Sequence, residues 1–579
     1  MKKIPYGGVG SFNDLVTEGY LYIDRTQYIR ELEALSEKHL FFLRPRRFGK
    51  SLFISVLHHY YGWEHQDKFE KLFGAYNIGH EPTSLKNSYL VLKFNFSGVN
   101  TATDETTYNS FLESVRLSVA TFLETYDVFF DSENLEKLEQ ISSPEIIMKQ
   151  LWHWVKNEGE GRKVYVLIDE YDQFTNEIIA YRFEEFKTTV SRNGWVRKFY
   201  ETLKIGSDDG IVSRTFITGV TPITLDSLTS GFSGATDISG VLRFHEMMGF
   251  RQEEVIGILQ GIGIEEADLP NTMGEMKMWY DGYVFHKRAK NSLYNSEMVL
   301  YFAQQYLEEG AYPEKLLATS VATDYHKIRS MFRIAHKEKE NIHALYKILV
   351  DKEIKAQLTI RYNFEIGWQE SDFVSLLYYL GFLTIKGSLV NQLIFTIPNY
   401  VIRELYYQYF MQITLERANL DTYQIDIQSK VLELAMHNNI EPIIHLTESV
   451  LAQLSANHDH AAFNETHPKS IFASWFYAAG IYHIYSEFEV EKKNEDNEKG
   501  RVDLLLTRRQ PFDKEVPHQF IFELKYLKKA GVKRLKTIKK EAASQLEEYL
   551  KDDKIKEMKD LKAYVVVFVG NKADIVRLK

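Results

Sequence analysis

Three small groups of residues carry types and spacings that could do chemistry. In the first, Gly49-Lys50-Ser51 follows the apolar run 40–43 and a basic turn, and it opens a stretch of apolar residues at helical spacing that reaches Leu57. Backbone N–H groups at such a helix start, here those of Arg47, Phe48, Gly49, Lys50, Ser51 and Leu52, would cradle phosphate oxygens. The lysine would reach the β/γ-phosphates and the serine hydroxyl would join the Mg²⁺ shell. Arg44 stands where the first glycine of G-x-x-x-x-G-K-[ST] belongs, so the spacing is kept and one backbone requirement is altered. The second group, Asp169-Glu170-Tyr171-Asp172, ends the apolar run 163–168. In a nucleotide-hydrolysing site Asp169 would hold Mg²⁺ and Glu170 would orient and polarise the attacking water. The third group is Asp503 with Glu523 and Lys525, the last two separated by one residue in an apolar stretch. Residues two apart in a strand share a face, and carboxylates beside a lysine supply the ligands Mg²⁺ prefers and a cation for developing charge. A structural Glu–Lys pair at a sheet edge is the plainer alternative.

These groups need a scaffold. Apolar runs at 40–43, 89–96, 163–168 and 214–220, with helical spacing over 104–158, give a strand, helix, strand order that predicts a parallel sheet. The last run would lie beside the acid-bearing strand and bring Thr218 or Thr221 near a γ-phosphate; a simple buried strand explains the same letters. Residues 20–24 read as a short strand, with an amphipathic helix from Thr26. The loop 228–234 could respond to nucleotide. Residues 246–400 are mostly helical, and helix 373–381, strands 382–385 and 393–397 and a following helix outline a winged helix, for which packing or a lid suits the few basic residues better than DNA binding. The aromatic run 406–410 suits a core. The strands around Asp503 and Glu523 indicate a second α/β domain.

The chain has 579 residues, 44% hydrophobic and 26% charged, with 12 prolines and no cysteine. Such a length suggests roughly three or four domains. Disulfides, thiolate metal sites and thiol nucleophiles are excluded. Lys2 and Lys3 are followed by Ile4-Pro5-Tyr6-Gly7-Gly8 and no segment approaches the ~18 apolar residues of a membrane span, so a cytoplasmic protein is expected. A net charge of −10 argues against an overall nucleic-acid-binding coat, although 525–540 carries eight Lys and Arg residues and no acid. Those could equally form a solvated helix face. Histidine metal sites are not expected, since His58 and His59 are adjacent and should face different sides of a helix, and His458 and His460 fall in a polar loop.

The segments IPYGGVGSF, GYLYIDRT, FFLRPRRFGKSL, VYVLIDEYD, FITGVTPIT, and MWYDGYVF with LYNSEMVL make the first 300 residues resemble the bacterial AAA-ATPase-like family, whose members are commonly fused to a PD-(D/E)XK nuclease-like domain. The D…E-x-K pattern resembles that nuclease superfamily. The resemblance implies that Arg44 is a family trait. It further implies Asp503 and Glu523 as metal ligands, Lys525 as catalytic lysine, Gln545 (four residues before Tyr549) as the helix glutamine, and Glu465 as a further acid, with Glu487, Glu489 and Glu491 as rivals for that place. The charged insert 491–499 departs from many relatives and would restrict the site.

The expected architecture is α/β: a P-loop ATPase domain at 1–245, a helical lid and winged-helix region at 246–400, a helical connector at 401–460 and a nuclease-like domain at 461–579. Expected cofactors are ATP and Mg²⁺, with Mn²⁺ also suiting the nuclease site. The expected partner is nucleic acid, DNA first, with no membrane. A homo-oligomer is compatible with the sequence, and Arg192, Arg197 and Arg243 are candidates for an arginine finger. A role in defence against foreign DNA rests on family analogy alone. The alternative is a nucleotide-dependent switch whose C-terminal domain binds nucleic acid or protein without cutting.

Overall fold

A computed structural model describes residues 2–7, 9–182, 194–223, 234–317, 334, 337–362, 367–420, 425–456, 466–491 and 499–579. The chain divides into two compact units, Met1–Gln304 with Thr319–Asn399, and Gln305–Ala318 with Tyr400–Lys579.

The first unit is built on a five-stranded sheet. Its strands are β1 (His39–Leu43), β2 (Tyr89–Asn95), β3 (Lys163–Asp169), β4 (Val212–Gly219) and β5 (Ala235–Asp237), in the order β2-β3-β4-β1-β5. All are parallel, as the alternation of strands with helices requires. Helix α1 (Lys50–Tyr61) follows β1; α2 (Asp104–Thr125) and α3 (Pro144–Glu158) lie between β2 and β3, and α4 (Trp195–Asp208) precedes β4. Strand β1 is buried at every position and β3 at all but its first, so their runs lack polar alternation. Because β4 is inserted between β1 and β3, the segments that end those two strands face each other across the end of β4. Gly219 ends β4 there, and a Cβ on it would lie 2.3 Å from the Tyr171 ring and 2.4 Å from Asp172 Oδ1, so no side chain fits at that crossing.

Residues 20–24 do not form the expected strand. Tyr20 makes an isolated bridge to Lys3, the Leu21 N–H donating to the Lys3 carbonyl, and the pairing goes no further; Tyr22 packs edge-on against Phe12, and Asp24 accepts bonds from the N–H groups of Thr26 and Asn77. The helix expected near Thr26 runs over Gln27–Glu33.

Later in the unit, α5 (Glu338–Asp351), β6 (Ile354–Ala356), α6 (Glu370–Tyr379), β7 (Thr384–Leu389) and β8 (Gln392–Thr396) form a small helix and sheet module. The anticipated hairpin gains β6 as a third strand, in the order β6-β8-β7.

The second unit contains α7 (Tyr400–Arg417), α8 (Ile427–His437), α9 (Glu441–Ala456) and α10 (Thr466–Ala479). These precede the sheet strands β9 (Tyr482–Glu491), β10 (Lys499–Arg508) and β11 (Gln519–Leu527), the helix α11 (Leu535–Tyr549), and the strands β12 (Leu561–Val569) and β13 (Lys572–Arg577). The sheet order is β13-β12-β11-β10-β9, with β11 and β12 parallel and the other pairs antiparallel. Tyr406, Tyr407, Tyr409 and Phe410 of α7 are buried, and Tyr407 stacks on Tyr477 of α10 at 4.2 Å, so this aromatic run is core. Phe520 and Phe522 line the α10 face of β11, where Phe522 meets Phe472 and Phe476, whereas Ile521 and Leu527 join the core beneath α11. Alternation along β11 therefore puts Glu523 and Lys525 on the α11 face.

Candidate functional site

In the first unit the chain leaves β1 at Leu43 and enters α1 through a loop whose residues Arg47 (φ 70°) and Gly49 (φ 96°) are left-handed. Nothing crowds a Cβ on Gly49, so backbone conformation alone asks for glycine there. The loop is braced from outside. Ser296 Oγ donates to the Arg47 carbonyl, the Gly249 N–H to that of Phe48, and the Asn295 side chain to that of Arg46. Arg47 pairs with Glu297 at 3.1 Å. The Phe48 ring packs edge-on against Tyr283 and Phe285, so only its backbone faces the loop interior.

Lys50 is 3% exposed. Its ammonium donates to the carbonyls of Arg44 and Pro45, both at 3.1 Å, and lies 3.9 Å from Glu170 Oε1. Thr218 Oγ1 donates to Asp169 Oδ1 at 2.7 Å. Thr221, the other candidate on this strand end, is turned to Asp172, which accepts from Thr221 N and Oγ1, Val220 N and Asn176. Asp172 thus ties the ends of β3 and β4 together, and Thr218 is the hydroxyl beside the acid. Burial pushes the Glu170 carboxyl above its ordinary range, against the pull of Lys50. A cavity of about 490 Å³ opens on Lys50 and Glu170, and its lining also includes Arg46 and Ser51 and the apolar Leu21, Ile23, Met248 and Leu300. Cations, N–H groups and apolar side chains lining one cavity fit a nucleotide.

Arg44, in place of the first glycine, points away from the loop. It is 2% exposed and its guanidinium donates to the carbonyls of Leu43, Ser239, Phe244 and His245, while lying 4.2 and 4.1 Å from the ring centres of Phe42 and Phe285. Burial lowers its pKa to about 10, which leaves it charged at neutral pH.

In the second unit Asp503 and Glu523 stand on neighbouring antiparallel strands. The paired register of β10 with β11 covers Leu504↔Phe522 to Leu506↔Phe520, and next to it the Leu524 N–H donates to Asp503 Oδ2 at 2.7 Å. Asp503 Oδ1 accepts from Lys469 Nζ at 2.7 Å. Glu523 is 1% exposed and its Oε1 pairs with Lys525 Nζ at 2.7 Å, whereas its buried Oε2 has no hydrogen-bond partner among the described residues. Burial and then the Asp503 charge push the Glu523 carboxyl up to about 7. A buried carboxylate oxygen without a donor, beside a second carboxylate, fits a divalent cation held by Asp503 and Glu523.

Residues 5–229 match the family model described as AAA-ATPase-like, "Predicted AAA-ATPase", and residues 463–577 match the PD-(D/E)XK nuclease superfamily. The chain carries one domain of each. It is also similar to an uncharacterized protein in the vnfD 5′ region of Azotobacter chroococcum mcd 1, 27% identical over 292 residues, 49% of this chain. That match spans about half (48%) of the curated relative's length. Among solved structures it is similar to the Walker-type ATPase PABY2304 of Pyrococcus abyssi, at 12% identity and a TM-score of 0.38, covering 66% of this chain and 94% of the other. That likeness is too loose to bear on the site.

Of the other residues singled out in the AAA-ATPase-like domain, Arg197 pairs with Glu201 and Arg243 with Glu31, while Arg192 and most of the 228–234 loop lie outside the described residues. In the nuclease-superfamily domain Glu465 and residues 492–498 of the insert lie outside them as well. Glu487 and Glu489 are near Arg501, and Glu489 is also near Lys499. Gln545 is half-buried on α11 and donates to the Tyr549 hydroxyl. Lys528, Lys533, Arg534, Lys536 and Lys540 are exposed and Lys539 pairs with Asp574. Lys469, 34 positions before Asp503, was missed; its only sequence signal is its place one residue after Pro468 at the start of α10.

His58 and His59, adjacent on α1, do share a cluster. The chain turns back after Gly62 and brings His65 against both His58 and His59.

The raised Glu523 pKa has a measurable consequence. Cations bind the ionised carboxylate, so a proton competes below about pH 7. Mn²⁺ affinity at this site, taken as the difference between the parent and Glu523→Gln by calorimetry, should fall up to about tenfold per pH unit below 7 and level off above it. A flat profile between pH 5 and 8 would contradict it.

Proposed function

We propose that the protein is an ATP-binding, and hydrolysing, regulator coupled to a metal-dependent nuclease that cleaves phosphodiester bonds in DNA. One observation carries this reading: each unit gathers a lysine and two carboxylates, Lys50 with Asp169 and Glu170 at the end of β3, and Lys525 with Asp503 and Glu523 midway along β10 and β11.

In the first domain the loop N–H groups from Arg47 to Leu52 bind phosphate oxygens and Lys50 transfers from its carbonyl partners to the β/γ-phosphates. Ser51 and Asp169 would hold Mg²⁺, and Thr218 fixes the Asp169 carboxylate. Glu170, its carboxyl raised by burial, is suited to take a proton from the attacking water and polarise it. In the second domain Asp503 and Glu523 would hold Mg²⁺ or Mn²⁺, which supplies charge for the phosphorane-like transition state and acidifies water. Lys525 positions the nucleophile or neutralises developing charge, Lys469 and the Leu524 N–H orient Asp503, and Gln545 lies on the helix over the same sheet face. The exposed cations of 528–540 suit a polyanion. Nucleotide state would act through the helical middle region to align the cutting residues. Among the described residues no helix is long and apolar enough to cross a membrane, which is compatible with action on DNA in the cytoplasm, in defence against foreign DNA.

Two substitutions test the halves separately. Lys50→Ala should weaken ATP binding by about a hundredfold or more in calorimetry, since it removes the one buried cation of the loop interior. Lys525→Ala should lose Mg²⁺-dependent cleavage while retaining binding of a labelled duplex. A Lys525→Ala protein that cuts like the parent would remove the nuclease half.

A further inference from the structure

At the end of α1 opposite the phosphate loop, three imidazoles meet. The ring centres of His59 and His65 are 4.4 Å apart and nearly parallel, and that of His58 lies 5.3 and 5.0 Å from them. One potential ligand nitrogen from each lies within 4.8 Å of the others. Glu64 stands in the same cluster, its Oε1 2.9 Å from His58 Nε2 and 3.4 Å from His65 Nε2. We propose that His58, His59 and His65, with Glu64 as fourth ligand, form a closed structural site for a divalent transition-metal ion of the zinc class, separate from both Mg²⁺ sites.

Four features of the surroundings support this. Both ring nitrogens of His65 are buried without a hydrogen-bond partner among the described residues, an arrangement that is costly unless something binds them. His59 Nδ1 lies 2.7 Å from the Ser55 carbonyl, which can only accept, so that nitrogen carries the proton and Nε2 keeps its lone pair; this outer hydrogen bond is the usual way a metal-binding imidazole is oriented. The Tyr126 hydroxyl donates to Glu64 Oε2 at 2.7 Å and itself accepts from the Val91 N–H, which leaves Oε1 facing the imidazoles. Gly62 gives the carboxylate its room, since a Cβ there would lie 2.7 Å from Glu64 Oε1. Three imidazoles and one carboxylate are the borderline donor set that selects Zn²⁺, Co²⁺, Ni²⁺ or Cu²⁺ over Mg²⁺ and Ca²⁺. Tetrahedral ligation at about 2.0–2.1 Å needs nitrogens about 3.4 Å apart, so the widest allowed separation would have to close by about 1.4 Å, which χ rotation of half-buried rings can supply. The ion would staple the last turn of α1 to the 3₁₀ turn Trp63–Lys68.

The test is Co²⁺ titration of the full chain after chelator treatment. The expected result is an intense visible absorption of tetrahedral type that saturates at a single Co²⁺ per chain, is displaced by equimolar Zn²⁺ but not by excess Mg²⁺, and persists in Lys50→Ala and in Asp503→Asn. In His59→Gln and in His65→Gln the affinity should fall by about a hundredfold or more. Should either variant fail to fold, the parent alone decides: Zn²⁺ should raise its melting temperature in the presence of saturating Mg²⁺. Absence of the tetrahedral signal, its survival in both folded histidine variants, its loss in Asp503→Asn, or a melting temperature indifferent to Zn²⁺ would overturn the proposal.

Discussion

Glu523→Gln is expected to abolish metal-dependent cleavage and at the same time to make the metal-free protein more stable at pH 8. The first effect follows from loss of a ligand whose Oε2 has no donor among the described residues. The second follows from linkage. Folding raises this carboxyl from 4.5 to about 7, so its contribution to stability is full below pH 4.5, where it is protonated in both states, and is lost as the pH climbs through 7. At pH 8 the ionised group in its buried place opposes folding by up to about 3 kcal/mol, which the neutral amide removes. Thermal melts of the C-terminal transition in chelator, at pH 5 and pH 8, would separate the two forms at pH 8 and bring them together at pH 5. A glutamine variant that melts lower than the parent at pH 8 would mean that the carboxylate is satisfied without a cation.

Arg44→Gly, which restores the first glycine of the phosphate-loop pattern, should destabilise the N-terminal unit by about 3 kcal/mol or more and should not improve ATP binding. The guanidinium is the donor for four buried carbonyls and lies over two aromatic rings; its loss leaves those carbonyls short of a donor away from water, with Phe244 alone, among the described residues, keeping a bond from the Met247 N–H. Denaturation midpoints and ATP affinity of the variant decide it. A variant as stable as the parent with tighter ATP binding would mean that Arg44 hinders the loop and does not brace it.

Much of both candidate sites is legible in the sequence because their residues are neighbours there. Lys50 and Ser51 start a helix directly after a strand, Asp169 and Glu170 end one, and Glu523 and Lys525 share a strand face, so period and punctuation place them. What the letters did not carry is long-range. The insertion of β4 between β1 and β3, which sets Thr218 and not Thr221 against Asp169, depends on strand order. Lys469, and the brace from Asn295, Ser296 and Glu297, come from segments far away in the chain. Arg44 looked like an altered loop residue, yet its side chain is directed by carbonyls near 240–245. Helical periodicity separates His58 from His59 but says nothing of a chain that turns back at Gly62 and sets His65 against both. Residues 20–24 have strand-like letters without a strand partner, and their side chains cap and pack instead.

The most direct measurement is cleavage of single- and double-stranded DNA by the purified full chain with Mg²⁺ or Mn²⁺, run without nucleotide, with ATP and with a non-hydrolysable ATP analogue. The expected result is metal-dependent cutting whose rate changes with nucleotide in the parent, does not respond to nucleotide in Lys50→Ala, and vanishes in Glu523→Gln. No cutting under any nucleotide condition, or cutting that persists undiminished in Glu523→Gln, would contradict it.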